Sequence, residues 1–116
     1  MWFVFPQMAG LGYSPASRRY AIRSLAEARA YLAHPVLGPR LIGCAEILAQ
    51  IAGRSAEQIF GDIDALKLRS SITLFRLADP AQPLFSSLLR QYFDDLPDQV
   101  TEEAVRAAGE GNFADR

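Results

Sequence analysis

The stretch Asp62–Ala78, DIDALKLRSSITLFRLA, decides the fold. It contains neither Pro nor Gly and is the longest clean helical segment of the chain. Ile63, Leu66, Ser70, Leu74 and Leu77 recur at spacings of three and four, which puts them on one helix face. Leu68, Ile72 and Phe75 fall on adjoining rows, so the apolar surface is broad and the helix is expected to be central. Lys67, Arg69, Ser70, Ser71 and Thr73 crowd into the same few turns. Lys67 and Ser71 are four apart, as are Arg69 and Thr73, so each pair shares a face. Charged donors beside hydroxyls can hold a phosphate or carboxylate through charge-assisted hydrogen bonds. The plainer reading has Ser70 and Thr73 bonding back to carbonyls of their own helix while Lys67 and Arg69 reach solvent or carboxylates. Eleven of the twelve basic residues are Arg, which sets Lys67 apart.

Working outward toward the N-terminus, Gly61 and the capping box Ser55–Gln58 bound a helix of about one turn, and Asp62 is expected to cap the central helix. Gly38-Pro39 opens a helix running to about Ala52, with Leu41, Ala45, Leu48 and Ala52 as its apolar row. Ser24, with Glu27 three residues on, starts a helix over Leu25–Ala33 that stops at His34-Pro35. Ser14-Pro15 is expected to open a short helix through Ile22. The start of the chain, MWFVFPQMAGL, carries large apolar residues broken by Pro6 and Gly10, and reads as extended. Toward the C-terminus, a helix from about Ala81 to Phe93 precedes the turn Asp94–Asp98. A weaker one follows over about Asp98–Ala108, with Val100 and Ala104 on its apolar stripe. The expectation is all-α: six or seven mostly short helices in a compact orthogonal arrangement behind an extended aromatic segment. Residues 1–108 form a single domain in this reading, and 109–116 a frayed tail.

Composition narrows the function classes. The chain has 116 residues, half of them hydrophobic, which is enough for one core and far from a disordered composition. A net charge of −1 argues against non-specific nucleic-acid binding. The balance is uneven: residues 1–55 carry six Arg against Glu27 and Glu46, while 94–116 carry seven acidic groups against Arg106 and Arg116. Cys44 is alone, so neither an internal disulfide nor a cysteine zinc site can form. No segment resembles a signal peptide or reaches spanning length, so the cytoplasm is the default expectation.

Further candidate sites are weaker. Arg18 and Arg19, near Ser14 and Ser17 at a helix start, could bind an anion or simply sit in water. His34, the only histidine, could serve as acid or base, though its place before Pro35 fits a helix cap. Gln7 could make a polar pocket contact. Trp2, Phe3 and Phe5 could line a pocket or an interface, although aromatics at such a position are more often core. Asp94, Asp95 and Asp98 lack the alternating donors and glycine of a calcium loop and read as a solvated turn.

Three blocks, MWFVFPQMAGLGYSPASRRYAI, LAEARAYLAHPVLGPRL and GRSAEQIFGDIDALKLRSSITLF, resemble a small, functionally uncharacterised, mainly bacterial domain family. Some of its members are labelled calpastatin, a label these residues do not support. The resemblance spans Met1 to about Pro97. It implies an all-helical globular fold and supplies no reaction, cofactor or catalytic residue. Family members usually carry a further helix and a His-Trp lead-in ahead of the block at Trp2–Pro6. By this resemblance the chain looks like a member lacking that portion, which would leave Trp2 and Phe3 exposed or covered by a second chain. The leading functional expectation is binding of a phosphate- or carboxylate-bearing small molecule by Lys67, Arg69, Ser70 and Ser71, with Arg18, Arg19 and Gln7 contributing. The competing one is an interaction module or homodimer built on Trp2, Phe3 and Phe5. No cofactor, metal or membrane association is expected.

Overall fold

Asp62–Ala78 is one continuous helix, and the domain is assembled around it. The structure is a computed structural model that describes residues 5–8 and 21–114, with side chains through residue 109. Six α-helices lie within those residues: α1 (Leu25–Ala33), α2 (Leu37–Gln50), α3 (Ala56–Phe60), α4 (Asp62–Ala78), α5 (Pro83–Phe93) and α6 (Gln99–Ala114). Helix α4 packs against α1, α3, α5 and α6, while α2 closes on α1 and α5. The result is an all-α, compact domain of short helices in an orthogonal-like arrangement.

The helix ends follow local chemistry. The Ser24 hydroxyl accepts from the Glu27 N–H at 3.1 Å and starts α1. Ser55 and Gln58 form a reciprocal capping box on α3. Gly61, at φ +85°, ends α3 and begins α4. That left-handed geometry suits glycine, and it displaces the expected Asp62 cap: Asp62 is the first helical residue and makes no capping hydrogen bond. Gly38 brings the start of α2 against α1, where a Cβ would collide with the Leu32 carbonyl. At the far end of α2, the Gln91 side chain donates to the Ile51 carbonyl at 2.8 Å, and the Tyr92 hydroxyl donates to the Leu48 carbonyl. Arg29 Nε likewise donates to the Ala78 carbonyl at 3.0 Å, closing the end of α4.

The buried face of α4 differs in phase from the sequence expectation. Ala65, Leu68, Ile72 and Phe75 point inward, while Ile63 and Leu66 are exposed. From Ser70 to Phe75 every residue is buried, because neighbours cover that stretch of the helix on all sides. Phe75 and Phe85 stack at 5.9 Å in the core, with Leu41, Leu88 and Leu89 among the fully buried side chains. On α6 the buried residue is Thr101 rather than Val100, which is exposed. That helix also continues to Ala114, past the expected end near Ala108: Gly109 and Gly111 weaken a helix without forbidding it.

The helix expected from Ser14 through Ile22 lies outside the described residues up to Tyr20, and only its end is corrected. Ile22 is extended and pairs with Met8 in an isolated parallel bridge, its N–H donating to the Gln7 carbonyl at 2.7 Å. The bridge ties the buried Phe5, Pro6 and Met8 onto the helical core.

Candidate functional site

A helix rotates its side chains by about 100° per residue, and that rotation divides the polar cluster of α4 in two. Arg69, Ser70 and Thr73 face the turn before α6. Lys67 and Ser71 lie on another face.

The first group is a structural clamp. Arg69 Nε donates to the Leu96 carbonyl at 2.8 Å and its terminal nitrogen to the Pro97 carbonyl at 3.1 Å. The Thr73 hydroxyl donates to the Arg69 carbonyl at 2.8 Å and accepts from the Asp98 N–H at 2.9 Å. Ser70 Oγ lies 3.1 Å from the Leu66 carbonyl and 3.2 Å from Asp98 Oδ2. That carboxylate oxygen also accepts from the Thr101 N–H at 3.0 Å and the Thr101 hydroxyl at 2.6 Å. Asp98 is thus the N-cap of α6 and the point through which α4 holds it. The expectation of a solvated acidic turn holds for the exposed Asp94 and Asp95 and is corrected for Asp98, which is half-buried and saturated with donors. Arg69 and Ser70 have these intramolecular partners in place of an anion. The signal overlooked in the sequence is the spacing from Asp98 to Thr101, a capping acceptor followed by a donor in the first turn.

The second group is arranged differently. Ser71 is fully buried, and its Oγ has no hydrogen-bond partner. An orphaned buried hydroxyl is unfavourable and calls for an explanation. One turn away, Lys67 Nζ lies 3.6 Å from Asp64 Oδ1, a partly exposed pair of little intrinsic strength. One turn the other way, the ring of Phe75 meets that of Tyr31 at 5.6 Å. Burial pushes the Tyr31 phenol above its ordinary value of 10.0; the charge and hydrogen bond of Arg40 partly offset this, and Cys44 adds to it. Tyr31 and Arg40, which the sequence reading did not single out, therefore belong to the same side of the molecule as Ser71.

The other candidates fall as follows. His34 caps the start of α2: its Nδ1 accepts from the N–H groups of Val36 and Leu37, each at 3.1 Å. His34 is also the C-cap of α1, as its place before Pro35 implies, its backbone N–H donating to the Tyr31 carbonyl at 3.2 Å, so one residue closes α1 and opens α2. Phe5, expected at an interface, is buried in the chain's own core. Gln7 is half-buried beside the Met8–Ile22 bridge. Trp2, Phe3, Arg18 and Arg19 lie outside the described residues. Among the described residues, no three His, Cys, Asp or Glu side chains converge as metal ligands, and no helix is long and apolar enough to cross a membrane.

An all-α domain clamped by one aspartate, with an orphaned serine beside a lysine on its central helix, is what the fold defines. The chain belongs to the family described as protein of unknown function (DUF1810), which matches residues 1–105. It is similar in structure to the conserved hypothetical protein Rv1873 from Mycobacterium tuberculosis, at 50% identity and a TM-score of 0.88. That match covers 90% of this chain and 75% of the solved one. No curated protein matches the chain.

Proposed function

We propose that the domain binds a small molecule bearing a phosphate or carboxylate on the Lys67–Ser71 face of α4. The observation that carries this reading is the Ser71 hydroxyl, fully buried and without a partner, one helical turn from the protein's only lysine. A ligand oxygen accepting from Ser71 would satisfy that hydroxyl. Lys67 supplies the charge, and its partly exposed pair with Asp64 is of little intrinsic strength. Tyr31, hydrogen-bonded by Arg40 and in tilted ring contact with Phe75 four residues on from Ser71, would add a phenol and an aromatic face. Arg69 and Ser70 leave the proposed set because their hydrogen bonds serve the clamp. Gln7, Arg18 and Arg19 stay in it as further donors.

The test is native mass spectrometry of the freshly purified chain, followed by thermal-shift titration with inorganic phosphate and with a nucleoside monophosphate. Lys67→Met and Ser71→Ala are expected to abolish the shift. Arg69→Lys is expected to lower the starting melting temperature and keep the shift. A shift that survives Lys67→Met refutes the assignment of charge.

A further inference from the structure

Four large apolar side chains stand in solvent around the clamp: Ile63 (71% exposed), Leu66 (63%), Leu96 (58%) and Val100 (58%). Their proximity follows from the hydrogen bonds. Ser70 Oγ touches both the Leu66 carbonyl and the Asp98 carboxylate, and Arg69 grips the carbonyls of Leu96 and Pro97. Leu66 therefore lies one turn from Asp98, with Ile63 a further turn along the same face, and Leu96 and Val100 flank Asp98 in the chain. Isolated exposed apolar residues are ordinary, but four gathered at one helix junction form a patch.

Lys67, four residues from Ile63, and Arg76 are engaged by Asp64 and Asp95, and the flanking charges left without an ion pair among the described residues are acidic. Asp62 adjoins Ile63, Asp94 lies two residues before Leu96, and Glu103 is one turn from Val100 with Glu102 beside it. Among the described residues none of these four forms an ion pair, whereas Asp64 and Asp95 pair with Lys67 and Arg76. The nearby Arg69 guanidinium is held on backbone carbonyls.

We infer that this patch is a docking surface for a partner segment carrying both apolar and basic side chains, as a basic amphipathic helix presents them. Complementary charge around an apolar centre steers such a segment and sets its specificity. Anchors spaced by one turn suit a helix laid across the junction of α4 and α6. A second copy closing on the same surface by two-fold symmetry would set acid against acid, which disfavours self-pairing here. Lys67 borders this surface, four residues on from Ile63, but substitutions at Leu66 and Val100 leave Lys67 and Ser71 in place, so the two readings are tested separately.

The probe is a short fluorescein-labelled leucine–lysine amphipathic helix, followed by fluorescence anisotropy, with its leucine–glutamate counterpart as the charge control. Wild-type protein is expected to bind the lysine probe, less tightly as salt is raised. The double substitution Leu66→Ser with Val100→Ser is expected to weaken binding by about tenfold or more. Ile47→Ser, an exposed apolar position on α2, is expected to leave it unchanged. Circular dichroism verifies that each variant stays folded. Absent binding, equal binding of the glutamate probe, or full binding by the double variant overturns the inference. So does a wild-type dimer in sedimentation that the double variant loses, since a second copy would then hold the face.

Discussion

Replacing Asp98 by Ala removes the centre of the clamp, and the structure sets the size of the effect. One carboxylate oxygen accepts from the Thr101 N–H, the Thr101 hydroxyl and the Ser70 hydroxyl. Losing an N-cap costs about 1 kcal/mol. Thr101 is fully buried, and leaving its hydroxyl without an acceptor adds roughly 1–3 kcal/mol. Ser70 adds little, because it keeps the Leu66 carbonyl. The expected total is about 3 kcal/mol, a large part of the ~5–15 kcal/mol that stabilises a domain of this kind. For a chain of this length it corresponds to a fall in melting temperature of roughly 10–15 °C.

Urea and thermal unfolding measure that loss, and hydrogen exchange locates it: amides of α6 are expected to lose protection before those of α4. Asp98→Asn retains a capping oxygen and gives up only charge, so it is expected to cost about 1 kcal/mol. A double-mutant cycle with Thr101→Val is expected to return a coupling on the order of 1 kcal/mol. A loss below about 1 kcal/mol for Asp98→Ala, or an equal loss for Asn and Ala, would refute the clamp as the element that holds α6. The variant also probes the division of α4. At a temperature where it is still folded, its phosphate-dependent shift is expected to persist, because Lys67 and Ser71 do not touch Asp98.

Other outcomes follow from the same geometry. Ser71→Ala removes an orphaned hydroxyl, so the unliganded protein is expected to gain up to about 1 kcal/mol in urea unfolding even as the phosphate-dependent shift disappears. Gly38→Ala pushes a Cβ into the Leu32 carbonyl and is expected to cost about 3 kcal/mol, read as a lower urea midpoint with little change in slope. At alkaline pH, Tyr31 and Tyr92 hold their protons more tightly in the fold because burial raises both phenols. Their contribution is complete below the ordinary value of 10.0 and is lost as pH climbs through the raised folded values, so unfolding free energy is expected to fall along that limb. Arg40→Ala removes the lowering influence on Tyr31, and ring-labelled tyrosine NMR is expected to show that phenol titrating higher still.

The helices were legible where a local rule sufficed. Leu25–Ala33, Ala56–Phe60 and Asp62–Ala78 are bounded by serine caps, a proline and a glycine, and those signals act within a few residues. The orientation of α4 was not legible in the same way. Periodicity finds an apolar face when only one side of a helix is covered, and from Ser70 to Phe75 this helix is covered on every side. Ile63 and Leu66 pulled the expected face toward the one end where apolar side chains stand in solvent. Tertiary burial therefore overrode the pattern at the element the pattern described best.

The candidate site separated along the same line. Spacing alone paired Lys67 with Ser71 and Arg69 with Thr73, and those pairs do occupy different faces. What spacing could not supply was Asp98, at the far end of α5 and the turn beyond it, which claims Ser70 directly and Thr73 through its N–H. A polar residue on a buried helix stays ambiguous until its partner is known, because a hydroxyl that bonds a carboxylate and one that bonds nothing are identical in sequence. Ser70 and Ser71 are neighbours of the same type, both buried, and only the fold tells them apart. Ser70 has two acceptors from its own chain and Ser71 has none, and that difference is the ground on which a ligand is proposed at Ser71 rather than at Ser70.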